Sequence, residues 1–407
     1  MARAAGEQGR RAGLRPGAAT GATIEALLEE RTEANRRFFA AEADRIARLC
    51  HRMAERFARG GRLLALGGSP AARSDARHVA VEFVHPVIVG KRALPAIGLA
   101  GEGGPLAAQV ALTASPDDIV LAFEADDEAR AAVAAAADLG CLAICLPLEW
   151  APPSTSAFVR QELTETLYHL LWELVHVFFE HRGLLEGRDA RKVHDAGASS
   201  FLYPFLGEQE TDLEAVIADV AASVAMKAVE VGALREQTLL DGRDELHAAA
   251  RELRARLDAG GTLLALGNGG SATDAMDVVA DFRAPPDPWP ARRALDLTED
   301  PAIITAIAND IGTDAIFSRQ VIAYGGPGDA LLALSTSGNS GSVIAALAEA
   351  RRRGLLTIAC VGYGGGQVAE RALADHVIVT RSEHVPRIQE AQASAYHVLR
   401  ELVEVGT

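Results

Sequence analysis

Apolar residues recur at helical spacing from Ile24 to about Arg59 and again from about Leu213 to Leu257, and both runs end at a double glycine, Gly60-Gly61 and Gly260-Gly261. After the first pair comes RLLALGGSPAARSDARHVAVEF, and after the second TLLALGNGGSATDAMDVVADF. Each reads as a short buried strand, a Gly/Ser turn and a helix. Further along, PDDIVLAFEADDEARAAVAAAADLGCLAICL in the first half corresponds to PGDALLALSTSGNSGSVIAALAEARRRGLLTIACV in the second, giving strand, loop, helix and strand again. Both halves close on a long amphipathic helix, VRQELTETLYHLLWELVHVFFE and PRIQEAQASAYHVLRELVE, in which Gln161/His169 and Gln389/His397 keep the same spacing. The chain is an internal repeat of one α/β plan.

A length of 407 residues accommodates two cores, and 49% hydrophobic with 23% charged residues is the balance of a soluble globular protein. We divide the chain into a disordered leader over 1–23, a first domain over 24–182, a connector over 183–208 and a second domain over 209–407. The connector carries Phe201, Tyr203 and Phe205, aromatics that need a surface to pack on. A formal charge of −15 argues against a broad nucleic-acid surface, since phosphate affinity rests on Lys and Arg. No apolar stretch approaches a membrane span and the first residues lack a secretory core, so a cytoplasmic protein is expected. Cys50, Cys141, Cys145 and Cys360 lie mostly within apolar runs and read as buried reduced thiols.

The strongest chemical signal is LLALSTSGNSGSVIAAL, where a strand delivers a hydroxyl-rich turn to the start of a helix. Ser335, Thr336, Ser337 and Ser340 offer hydroxyl donors, Gly338 permits close backbone approach, and the helix start adds free amides, which together suit a phosphate. A second turn, GNGGSATDAMD, places Asn268 and Ser271 after the first strand of the same half. Two such turns at one sheet edge are where open α/β sheets bind ligands.

The segments GNGGSATDAMD, AIANDIGTDAIFSRQ, LALSTSGNSGSVIAAL and RIQEAQASAYHVL, in that order, resemble the phosphoheptose isomerases of the sugar-isomerase (SIS) family, from about Leu213 to the end. The resemblance implies two tandem SIS domains, each a mainly parallel sheet flanked by helices, with sites at subunit interfaces and a homo-oligomer, here a dimer of tandem chains. It implies a sugar-phosphate substrate held by Asn268, Ser271, Ser335, Thr336, Ser337 and Ser340, with Asn309, Asp310 and Gln389 facing the sugar. It implies interconversion of sedoheptulose 7-phosphate and a heptose 7-phosphate through an enediol.

The family carries a His and a Glu four apart on the first helix, which join a Gln and a His of the last helix in binding zinc. In the second half Asp277 and Asp281 stand there, either a pair suited to a harder divalent cation or a solvated acidic face. The first half keeps the complete set, His78, Glu82, Gln161 and His169, but its phosphate turn has become FEADDEA, where Glu124, Asp126 and Asp127 repel a phosphate. Complementary loss of this kind points to a division of labour: a cation on the first-half set and a phosphate on the second-half turn. The resemblance implies Glu82 as the base and His169 as the acid, with Asp281 and His397 their second-half counterparts; the alternative is a structural cation in the first half, with His397 serving the chemistry alone. Rival readings are a non-catalytic sugar-phosphate sensor or interaction protein, and an aminosugar-phosphate enzyme.

Overall fold

The computed structural model describes residues 23–87, 91–99, 103–123, 126–146, 150, 154–180 and 212–405. The expected leader up to residue 22, the connector over 183–208 with its boundary near 208, and Glu124 lie outside the described residues.

The first half runs α1 (Ile24–Ala58), β1 (Leu63–Leu66), α2 (Pro70–Val84), β2 (Ala96–Leu99), α3 (Leu106–Thr113), β3 (Ile119–Ala122), α4 (Asp127–Asp138), β4 (Leu142–Cys145) and α5 (Ala157–Glu180). The second runs α6 (Leu213–Asp241), α7 (Arg243–Asp258), β5 (Leu263–Leu266), α8 (Gly270–Arg283), β6 (Ala294–Asp296) and α9 (Pro301–Asp310). After a 3-10 turn at Thr313–Ala315 it continues with α10 (Ser318–Tyr324), β7 (Ala330–Ser335), α11 (Gly341–Arg352), β8 (Leu356–Gly362), α12 (Gly366–Glu370), β9 (His376–Thr380) and α13 (Val385–Val405).

Both sheets are wholly parallel, in the orders β2-β1-β3-β4 and β6-β5-β7-β8-β9. Their inner strands are continuous apolar runs because helices cover both faces: Leu63–Leu66 and Leu263–Leu266 are buried at every position. In the second sheet β5 connects outward to β6 on one side and lies against β7 on the other. The crevice outside the carboxyl ends of β5 and β7 is therefore the topological switch point, and both hydroxyl-rich turns open there.

The two halves meet about a pseudo-twofold axis. Ser74 Oγ donates to the Thr273 carbonyl at 2.7 Å, and Arg77 Nη1 lies 3.6 Å from Met276 Sδ. Each contact joins repeat-equivalent positions of SDARHVAVEF and TDAMDVVADF, so α2 and α8 cross on the axis. α5 and α13 lie beside them, and every residue of α13 from Pro386 to Val403 is buried. A helix buried on all sides is a central strut, and the polar residues it carries need partners inside the molecule.

The long helices exchange ends between the halves. Ile24, Leu27 and Leu28 at the start of α1 pack in the second-half core with Leu239, Leu246 and Leu399. Val216, Ile217, Val220 and Val224 at the start of α6 pack in the first-half core with Phe39, Leu171 and Phe178.

Candidate functional site

On the second-half side, Asn268 Nδ2 donates to Ser340 Oγ at 2.8 Å and Ser342 Oγ at 3.0 Å, tying the turn after β5 to the turn after β7. Ser335 is buried at the strand end and its Oγ accepts the Gly338 amide at 3.1 Å. Gly338 has φ +62°, and a Cβ there would stand 2.2 Å from the Gly365 carbonyl, so only glycine lets these loops meet. Ser340 is the N-cap of α11 but makes no side-chain cap bond, which leaves the first amides of that helix facing the crevice. Thr336 and Ser337 are half-buried at its rim, and Ser271 is buried.

The corresponding first-half turn is closed. Asp126 caps α4, its carboxylate accepting the Ala129 amide at 2.7 Å, so a fixed anion already holds the helix start. Asp127 is exposed beside it, and Glu124 is outside the described residues. On β1 the turn is likewise an ordinary helix start, with Ser69 accepting the Ala72 amide at 3.2 Å and Pro70 in the first turn.

Against the second-half turns stands a cluster built by α2, α5 and α13. His78 Nε2 lies 3.4 Å from His169 Nε2 and 3.1 Å from Gln389 Nε2, and Glu82 Oε1 lies 3.9 Å from His78 Nε2. The outer nitrogens are already engaged: His78 Nδ1 with the Tyr168 hydroxyl at 2.9 Å, and His169 Nδ1 with Glu390 Oε1 at 3.0 Å. Glu390 is in turn held by Arg387, which also reaches Glu173 at 3.0 Å. Burial, then the neighbouring His169, lowers the His78 pKa and keeps its ring neutral. Burial pushes the Glu82 carboxyl up to about 7, with His169 opposing and Glu173 and Glu390 adding to the rise. A built Cβ at Gly270, the first residue of α8, would stand 2.8 Å from His78 Nε2 and 2.1 Å from Gln389 Nε2. That glycine brings the second-half turn onto the first-half cluster.

The expected cation set changes in one member. His78, Glu82 and His169 come together, but Gln161 does not join them; Gln389 of the other half does. Gln161 lies on the side of Asp277, and its Nε2 is buried without a hydrogen-bond partner. His169 of α5 and Gln389 of α13 therefore meet at His78, each helix supplying one member of the cluster.

The equivalent place in the other direction is filled by an ion-pair chain. His397 Nε2 lies 3.3 Å from Asp281 Oδ2 and its Nδ1 lies 3.0 Å from Glu162 Oε1. Glu162 continues to Arg31 at 2.9 Å, and Arg31 to Glu401 at 2.7 Å. Burial alone would lower the His397 pKa, yet Asp281 and Glu162 raise it to about 10; Arg31 and His397 in turn override burial to hold Glu162 at about 2. Asp277, next to this pair, is raised to about 7 by burial and by Asp281. His397 and Asp281 therefore satisfy one another and do not share the cluster around His169. Asn309 and Asp310 sit exposed at the end of α9, hydrogen-bonded to each other at 2.7 Å, and among the described residues no hydrogen bond ties them to the β7 turn.

Residues 228–362 match the family model of the SIS domain. The phosphoheptose isomerase of Solidesulfovibrio magneticus is 39% identical over 187 residues, which is 44% of this chain and 88% of that protein. That of Desulfovibrio desulfuricans is 44% identical over 173 residues, 42% of this chain and 81% of its own. The chain belongs to the phosphoheptose isomerase family of SIS-domain proteins. Its family members align with under half of it, whereas the two-sheet architecture is shared with the C-terminal domain of glucosamine-fructose-6-phosphate aminotransferase from Francisella tularensis. That likeness spans 93% of this chain and 94% of the other at 11% identity and a TM-score of 0.56, and it shows the fold alone.

The structure also brings in residues that repeat matching passed over. Glu162 and Glu390 follow the paired glutamines and orient His397 and His169 reciprocally across the axis. The shared Gln-Glu dipeptide was the available signal; that each glutamate serves the opposite helix was not. Glu165 was passed over as well. Its ligand atom lies within 4.8 Å of those of His78 and His169.

Proposed function

We propose that this protein is an aldose–ketose isomerase of a phosphorylated sugar, with sedoheptulose 7-phosphate as substrate, working at one composite site drawn from both halves. The observation that carries the reading is the contact of Gly270 with His78 and Gln389, which abuts the second-half phosphate turns and the first-half cluster. The names of the family members supply the heptose, and the serine turn supplies the anchor for its phosphate.

A divalent cation, zinc by family, fits the cluster. Two imidazole nitrogens face one another at 3.4 Å, a hydrogen bond uses only one proton between them, and Glu165 Oε1 and Gln389 Oε1 are buried without a partner. When bound, such an ion polarises the oxygens of the carbonyl and of the enediol. The chain's own groups do the rest. The serine hydroxyls and α11 amides hold the phosphate away from the reacting carbons and so set their orientation. Glu82 takes the proton from C1 of the ketose and returns it to C2, and its elevated pKa suits a base working near neutrality. His169, fixed by Glu390, serves the oxygen from which a proton must come and go.

Turnover of sedoheptulose 7-phosphate, measured with and without chelator, tests the proposal. Isomerisation that Glu82→Gln reduces by about 10²–10⁴-fold is the expected result. No turnover, with sugar-phosphate binding intact, leaves the sensor reading in its place.

A further inference from the structure

Building on the cation site proposed above, we infer that Glu165, with His78 and His169, is the protein's carboxylate ligand to that cation, and that Glu82 is left outside the coordination sphere. Among the described residues these three form the group of His, Cys, Asp or Glu whose ligand atoms all gather within 4.8 Å. Glu165 and His169 are four apart on α5 and so share one face of the helix. Glu82 Oε1 lies 3.9 Å from His78 Nε2, but Glu82 does not belong to that group.

Glu165 is buried at 2% exposure, and its Oε1 has no hydrogen-bond partner. A buried carboxylate oxygen without a partner, set beside two imidazoles, makes up a cation-ligand set. The repeat supports the same assignment from another side. In α13 the position equivalent to Glu165 is Ala393, and that half has Asp277 in place of His78 and an ion pair on its histidine. The extra carboxylate thus occurs only in the half that kept both imidazoles.

Two histidines and one glutamate leave a coordination position open, as catalytic zinc sites do, whereas four protein ligands close it. Gln389 and the sugar oxygens are then placed to compete for that position. Glu82 stays free to carry the proton.

The test is zinc affinity of the full-length chain, measured by competition with a chromophoric chelator, together with the visible spectrum of the cobalt-substituted protein. Wild type should bind one zinc. Loss of an outer-shell partner alone weakens zinc about 10–100-fold, so Glu165→Gln should weaken it by at least about 100-fold and alter the cobalt bands. Glu82→Gln should leave both unchanged while lowering turnover about 10²–10⁴-fold. Glu165→Ala, which installs the residue found at the repeat-equivalent position, serves if the glutamine variant does not fold. Wild-type affinity and cobalt bands in the Glu165 variants, or zinc lost in Glu82→Gln, overturn the inference and leave the isomerase reading standing. A wild type that binds no zinc overturns the inference together with the cation site it builds on.

Discussion

At the scale of single residues, His78 and His397 show how neighbours decide what an imidazole does. Both are buried, yet His78 faces a second imidazole and an amide, whereas His397 is clamped between Asp281 and Glu162. With a folded pKa of about 10 against an ordinary value of about 6.5, His397 contributes stability that is fully present below pH 6.5. That contribution erodes as pH rises and is gone above about 10. We predict that His397→Gln lowers stability at neutral pH by about 3–5 kcal/mol, because it strands two buried carboxylates. Urea titrations at several pH values should also show a flatter alkaline limb in the variant. On the phosphate side, Ser337→Ala should weaken sugar-phosphate binding by about 1–3 kcal/mol in calorimetry, the cost of losing a hydrogen bond to a charged group. An unchanged affinity would remove Ser337 from the phosphate site.

At the scale of elements, α4 and α11 occupy equivalent places in the repeat and differ at their first turn. Asp126 satisfies an amide of α4, and Ser340 makes no cap bond to α11. Asp126→Ala should therefore cost about 1 kcal/mol of stability and leave ligand binding alone. Ser340→Ala should show the opposite pattern, nearly native stability with weakened sugar-phosphate binding. Denaturation and calorimetry on the same two proteins separate the outcomes. The acidic FEADDEA turn made this contrast readable beforehand, because a carboxylate at a helix start excludes a phosphate there. The capping bond itself depends on a backbone geometry that composition does not report.

At the scale of the whole molecule, neither half is self-sufficient. Removing the first half would expose Val216, Ile217, Val220 and Val224 of α6 and withdraw Ile24, Leu27 and Leu28 from the second core. We predict that residues 209–407 expressed alone self-associate or aggregate, and that co-expression with residues 1–208 yields a stoichiometric complex. Light scattering after size-exclusion chromatography reads both. A monomeric, cooperatively folding second half would show that the exchanged helix ends contribute little.

The sequence by itself determined the repeated strand–turn–helix order, the two parallel sheets and the serine turn at a switch point. Each of these depends on local periodicity and turn chemistry, which neighbouring residues carry. It also showed that one half keeps the His/Glu/Gln/His set and the other the serine turn. The tertiary structure decided which glutamine meets which histidine, because the packing of α5 against α13 brings Gln389, and not Gln161, to His78. It likewise decided that His397 is an ion-paired cation and that Glu165 faces the imidazoles, since burial and charge at a helix face are set by the helices packed against it and not by the helix's own sequence.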